Sequence, residues 1–106
     1  MTVRCPVGRG RAAGILGAQL RLPITTILIV EGDAPTADVL DLVLTEEGYT
    51  VVWAADGQAA LDLLATVQPH LVLFELNLPG MDGRTLCRTL AADSQYQGIP
   101  RVLMSV

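Results

Sequence analysis

Apolar residues in this chain alternate between short unbroken runs and longer stretches with helical spacing. Ile27-Leu28-Ile29-Val30 is a continuous apolar run that ends in charge at Glu31, the pattern of a strand buried on both faces of a parallel sheet. Asp33 can cap a helix and Pro35 suits its first turn. Val39, Leu40, Val43 and Leu44 then recur at helical spacing until Gly48 supplies the stop. Thr50 to Ala54 is short and rich in strand formers, and Asp56-Gly57 marks the turn out of it. A second helix follows with Ala60, Leu61, Leu64 and Val67 at i, i+3, i+4 spacing, closed by Pro69. Leu71-Val72-Leu73-Phe74 reads as a third buried strand, ending at Glu75. The turn-rich run from Asn77 to Gly83 leads into a third helix around Arg84 to Ala91, and Gly98 and Pro100 punctuate a last strand, Arg101 to Met104.

Strand, helix, strand, helix, strand, helix, strand is the order of an α/β domain with a parallel sheet and right-handed crossovers. Reactive groups in such sheets gather at the carboxyl ends of the strands, near the point where strand order reverses. That rule selects Glu31, Gly32 and Asp33 after the first strand, Glu75, Leu76 and Asn77 after the third, and Ser105 after the fourth. Carboxylates converging from two strands can hold a hard cation such as magnesium, or tune each other by repulsion.

Charge divides the chain in two. Residues 1–25 carry four arginines and no acid, whereas the remainder holds eleven acids against three arginines, a net of −8. The acidic part should repel a nucleic-acid backbone, so no direct nucleic-acid binding is expected of it. Residues 1–24 read as a flexible Arg- and Gly-rich leader. Cys5 and Cys87 stand in no metal-type spacing and read as ordinary thiols of a reducing compartment. No apolar run approaches the length of a membrane span, so the expectation is a cytoplasmic, soluble protein. The single histidine, His70, lies at a helix-to-strand joint away from the acidic rim and reads as a surface residue. Nothing points to a stand-alone enzyme, and Glu31-Gly32-Asp33 lacks the glycine spacing of a phosphate-binding loop.

The run Ile27 to Asp33, Gly48 to Val51, Ala55-Asp56-Gly57 with Ala60-Leu61, Pro69 to Glu75, Leu78-Pro79-Gly80-Met81-Asp82-Gly83, and Ile99-Pro100 to Ser105 together resemble, in order and spacing, the receiver domain of two-component response regulators. The resemblance covers residues 25–106. It implies a flavodoxin-like fold with strand order 2-1-3-4, the fifth strand and last helices missing and the domain incomplete at its C-terminus. It also implies a switch in which a histidine kinase phosphorylates an aspartate at the end of the third strand, assisted by magnesium. The acceptor position falls on Glu75, the acidic pair on Glu31 and Gly32, a carbonyl ligand on Asn77 and the switch hydroxyl on Ser105. The acceptor loop contains Asn77, Pro79, Gly80, Asp82 and Gly83.

Three departures stand out. Glu75 replaces the aspartate, and its extra methylene moves the carboxylate outward by about 1.5 Å, a misplacement that can cost about a hundredfold in a positioned reaction. Gly32 removes an acid that would touch the metal, although neighbouring Asp33 remains in the acidic pocket. No lysine exists anywhere to pair with phosphoryl oxygens. These point to a pseudo-receiver that works without phosphorylation, binding a histidine kinase or other signalling protein. No cofactor is expected; were magnesium held, the candidate ligands are Glu31, Glu75 and Asn77. The competing readings are a metal-dependent phosphoacceptor using another rim carboxylate, such as Asp33 or Asp82, and a decayed fragment. With only the first helix on one side, an uncovered sheet face and a bare last strand are expected. Either could serve a homodimer, or be covered by the leader through Ile15, Leu16, Leu20 and Leu22.

Overall fold

The structure, a computed structural model, describes residues 2–4 and 24–104. Among the described residues five strands form one sheet: β1 (Thr2–Arg4), β2 (Thr26–Val30), β3 (Thr50–Ala54), β4 (Leu71–Glu75) and β5 (Arg101–Met104), in the order β1-β5-β4-β2-β3. The four strands expected from the sequence are mutually parallel and in the expected order. Helices α1 (Ala34–Glu46), α2 (Gly57–Leu64) and α3 (Gly83–Ala92) connect them.

Alternation along β2 divides the core. Leu28 and Val30 join Val72, Phe74 and Ala54 on the face covered by α2 and α3, against Ala60, Leu64, Leu86 and Leu90. Ile27 and Ile29 are as fully buried on the opposite face, where α1 packs on β2 and β3.

Each of these three helices begins at the carboxyl end of a strand with an aspartate whose side chain accepts from the backbone: Asp33 from Thr36 N–H (3.1 Å), Asp56 from Ala59 N–H (2.7 Å) and Asp82 from Thr85 N–H (2.7 Å). An Asp at this position satisfies an otherwise orphan amide of the first turn.

Several expectations need correction. The last strand is not a bare edge, because Thr2–Arg4 pairs with it antiparallel, Thr2 opposite Met104 and Arg4 opposite Val102. Ile15, Leu16, Leu20 and Leu22 lie outside the described residues. The apolar sheet face is not laid open either: Ile27 and Ile29 are buried, and Leu71 and Leu73 are half-buried. Exposed large apolar side chains among the described residues sit instead on α1, at Val39, Leu42 and Val43, and at Trp53. Helix α2 ends at Leu64 rather than at Pro69, where Ala65 and Thr66 N–H tighten the last turn with i→i−3 bonds to the Asp62 and Leu63 carbonyls. Cys87, half-buried on α3, is disulfide-bonded rather than a free thiol; Cys5 lies outside the described residues. No helix among the described residues is long and apolar enough to cross a membrane.

Candidate functional site

Parallel pairing of β2 with β4 places Val30 opposite Phe74, so Glu31 and Glu75, one residue further on, leave adjacent strands side by side. Both are buried, Glu31 at 4% exposure and Glu75 at 8%. The Glu31 backbone is fixed from two directions: its N–H donates to the Ala54 carbonyl (3.0 Å), and its carbonyl accepts from the Trp53 indole N–H (2.8 Å). Its side chain curls to accept from Asp33 N–H through Oε1 (3.0 Å), while Oε2 is buried with no hydrogen-bond partner among the described residues.

Glu75 turns its carboxylate back onto its own loop. Oε1 accepts from Leu76 N–H at 3.0 Å and stands 3.5 Å from Asn77 N–H. Backbone amides at such a strand end are donors that an anion can use, and here the side chain of residue 75 uses them.

Asp33, expected in the acidic pocket, is exposed and capping α1, where it also accepts from the Thr36 hydroxyl. Asp82 is fully exposed and caps α3, and the Thr85 backbone N–H, followed by the Thr85 hydroxyl, holds its carboxyl below the usual aspartate range. Both rim carboxylates named as substitute acceptors are thus occupied at helix starts. Because Asp82 has a lower pKa folded than unfolded, it stabilises the fold above the ordinary carboxylate range and ceases to do so as pH falls through its folded pKa. Asp82→Asn, which keeps a capping oxygen, should weaken the acid dependence of urea midpoints between about pH 5 and pH 2. An unchanged profile would exclude Asp82 as a contributor.

The acceptor loop lies close over this pocket. Leu78 is buried in the core, Gly80 takes a left-handed turn at φ 78°, and Met81 N–H donates to the Pro79 carbonyl (3.0 Å). Gly83 N–H returns to the Leu76 carbonyl (2.8 Å), and a Cβ on Gly83 would meet the Glu75 carbonyl oxygen at 2.6 Å. Pro79 sits over Gly32. Asn77 is exposed. Ser105 lies outside the described residues. No group of three His, Cys, Asp or Glu residues that could hold a metal occurs among the described residues. His70, at the far end of the sheet, is exposed and accepts from Thr26 N–H through Nδ1 (3.2 Å).

Two features escaped the sequence reading. The Trp53 bond to Glu31 depends on pairing across two strands, which no local pattern announces. The contact of Pro79 with Gly32 joins two loops 47 residues apart, and its only sequence trace is the glycine itself.

A parallel α/β sheet with paired acids at the carboxyl ends of its two central strands, under a glycine-bounded loop, defines a signalling receiver module. The chain belongs to the response regulator receiver domain family, whose model matches residues 27–106. Among curated proteins it is 43% identical over 79 residues to the DNA-binding response regulator MtrA of Mycobacterium tuberculosis (strain ATCC 25618 / H37Rv), covering 74% of this chain and 33% of that protein. The MtrA protein of Mycolicibacterium smegmatis is 42% identical over the same length, again with 74% and 33% coverage. The chain thus spans about a third of the length of the curated relatives it matches. Among solved structures, the signal receiver domain of a signal transduction histidine kinase from Syntrophus aciditrophicus superposes with TM-score 0.75 at 33% identity, covering 77% of this chain and 62% of that one. A response regulator from Chloroflexus aurantiacus gives TM-score 0.71 at 36% identity, covering 74% and 64%.

Proposed function

We propose that this receiver domain signals without phosphorylation at residue 75, as a non-enzymatic interaction module for a histidine kinase or another signalling protein. The observation that carries this reading is the Glu75 carboxylate, buried and folded back on the loop amides of Leu76 and Asn77. An acceptor must present an oxygen outward for in-line attack, with the transferred charge neutralised around it. Glu75 instead spends an oxygen on its own backbone.

The residues present do not fit a resident magnesium ion. Such an ion takes one or two carboxylates in near-octahedral geometry and keeps several waters. Here Glu31 and Glu75 each commit an oxygen to loop amides, residue 32 offers no ligand, and the proline ring stands over it. Relatives named as DNA-binding regulators support placing this module upstream of such an output, reached through protein contact rather than by its own acidic surface.

The test is incubation with a small phosphodonor and excess magnesium, read by intact mass and peptide mapping. No phosphoryl adduct is expected on Glu75, Asp33 or Asp82. A stoichiometric adduct on Glu75 would overturn the reading.

A further inference from the structure

Cys87 is disulfide-bonded, and the chain holds two cysteines, Cys5 and Cys87. Cys5 lies outside the described residues, directly after β1. The described strands and helices fix the level in the fold to which each cysteine belongs.

Parallel pairing sets Arg101 opposite Val72 and Leu103 opposite Phe74. Val72 and Phe74 belong to the core under α2 and α3, so Arg101 and Leu103 face those helices. Residues directly opposite in a ladder share a face, and Val3, opposite Leu103, therefore faces α3 as well. Side chains on one face recur every second residue. The next position on that face is 5, which the same register brings level with Arg101.

Helix α3 descends along the same ladder. A Cβ on Gly83 would stand 3.0 Å from Leu103 Cδ1, so the first turn of α3 lies over the level of Leu103 and Val3. Cys87 follows Gly83 by four residues, on the same side of the helix and about 6 Å further along its axis, and it packs against the core as Leu103 does. Position 5 is two strand residues beyond Val3, a step of about 7 Å. Both steps run toward the amino end of β5, because β1 is antiparallel to it and α3 returns from the carboxyl end of β4.

We propose that Cys5 and Cys87 form an intrachain disulfide that holds β1 on the edge of β5, and that this bond is the redox modification site of the domain. In its formation the two thiols pass two protons and two electrons to a small disulfide, RSSR, which leaves as two RSH; a dithiol reverses the exchange. Three ladder residues are a weak hold by themselves. With the bond opened β1 leaves, and the backbone groups of β5 that it covered are bared. The same strand supports the acidic rim, since the Met104 carbonyl accepts from Leu76 N–H beside Glu75 (2.9 Å). This inference goes beyond the proposed function and holds whether or not Glu75 accepts a phosphoryl group.

Two measurements on the 106-residue chain test it. After equilibration with oxidised glutathione, the protein is denatured, treated with iodoacetamide and mapped by mass. A monomer without alkylation, yielding one cross-linked peptide pair that contains Cys5 and Cys87, is expected. Alkylation or glutathione adducts at both cysteines, or a cross-link between two copies, overturns the proposal. The second measurement is hydrogen exchange over Arg101 to Met104 with and without dithiothreitol. Reduction should speed exchange there about tenfold or more, and Cys5→Ser should show the fast rate at once, with no further change on adding the reductant. Unchanged exchange on reduction, or a rise that persists in Cys5→Ser, overturns the hold of the disulfide on β1.

Discussion

Gly83→Ala unfolds at a markedly lower urea concentration than the wild type, at a cost of about 3 kcal/mol, the upper end of what overpacking a close-packed site exacts. The added Cβ would lie 2.6 Å from the Glu75 carbonyl oxygen and 2.8 Å from Leu76 Cα. Both are backbone atoms of the β4 terminus and cannot be swung aside. Helix α3 must then back away from the sheet, carrying Leu86 and Leu90 out of contacts in which both are almost wholly buried. A domain of this size has only about 5–15 kcal/mol of total stability, so the loss is large. Gly80→Ala is the control. Its Cβ meets nothing within 4 Å, and only the φ of 78° opposes it, a cost of about 1–2 kcal/mol. Equal urea midpoints for the two variants would show that α3 is not seated on the β4 terminus as described.

The contrast between these glycines illustrates what a sequence can and cannot disclose. All of Leu78 to Gly83 was readable as a turn-rich acceptor loop, and the two central strands β2 and β4 were readable because buried strands announce themselves as unbroken apolar runs, whereas Thr50–Ala54, mostly half-buried or exposed, was readable only from its strand formers. Thr2–Arg4 carried no such signal: three residues next to an arginine- and glycine-rich stretch become a strand only through partners about a hundred positions away. Helix α1 was found by its spacing, but spacing does not say how deeply a face is buried. Val39 and Val43, two of the residues that defined its apolar stripe, are more than half exposed, and Ala37 is its buried residue. At the site, the identity of Glu31 and Glu75 was legible and their neighbourhood on adjacent strands followed from fold class. The engagement of Asp33 and Asp82 was only half legible. Asp33 was read as both cap and pocket acid, and geometry allows one carboxylate a single place.

Glu31→Gln and Glu75→Gln are each expected to raise stability by about 1–2 kcal/mol, with a double variant that gains less than the two single gains together. Adjacent-strand register puts these residues one step beyond the Val30–Phe74 pair, at neighbouring strand ends, both more than nine-tenths buried, with Glu31 Oε2 lacking any hydrogen-bond partner among the described residues. A buried charge without a cation beside it is costly, and two of like sign compound the cost. Glutamine preserves the oxygen that accepts from Asp33 N–H at position 31 and from Leu76 N–H at position 75, so the loop bonds survive while the charge goes. Non-additivity is the informative part, since removing either charge relieves the repulsion and the second removal has only its own desolvation left to relieve. Strictly additive gains would mean that the two side chains do not sense each other; losses in both singles would mean that a cation or donor balances them. If the gains appear as expected, the acidic pair is held against the interest of the fold. Sites that lower stability while keeping their geometry are where function is most often found, and that would make the Glu31 and Glu75 rim the first surface on which to map a partner.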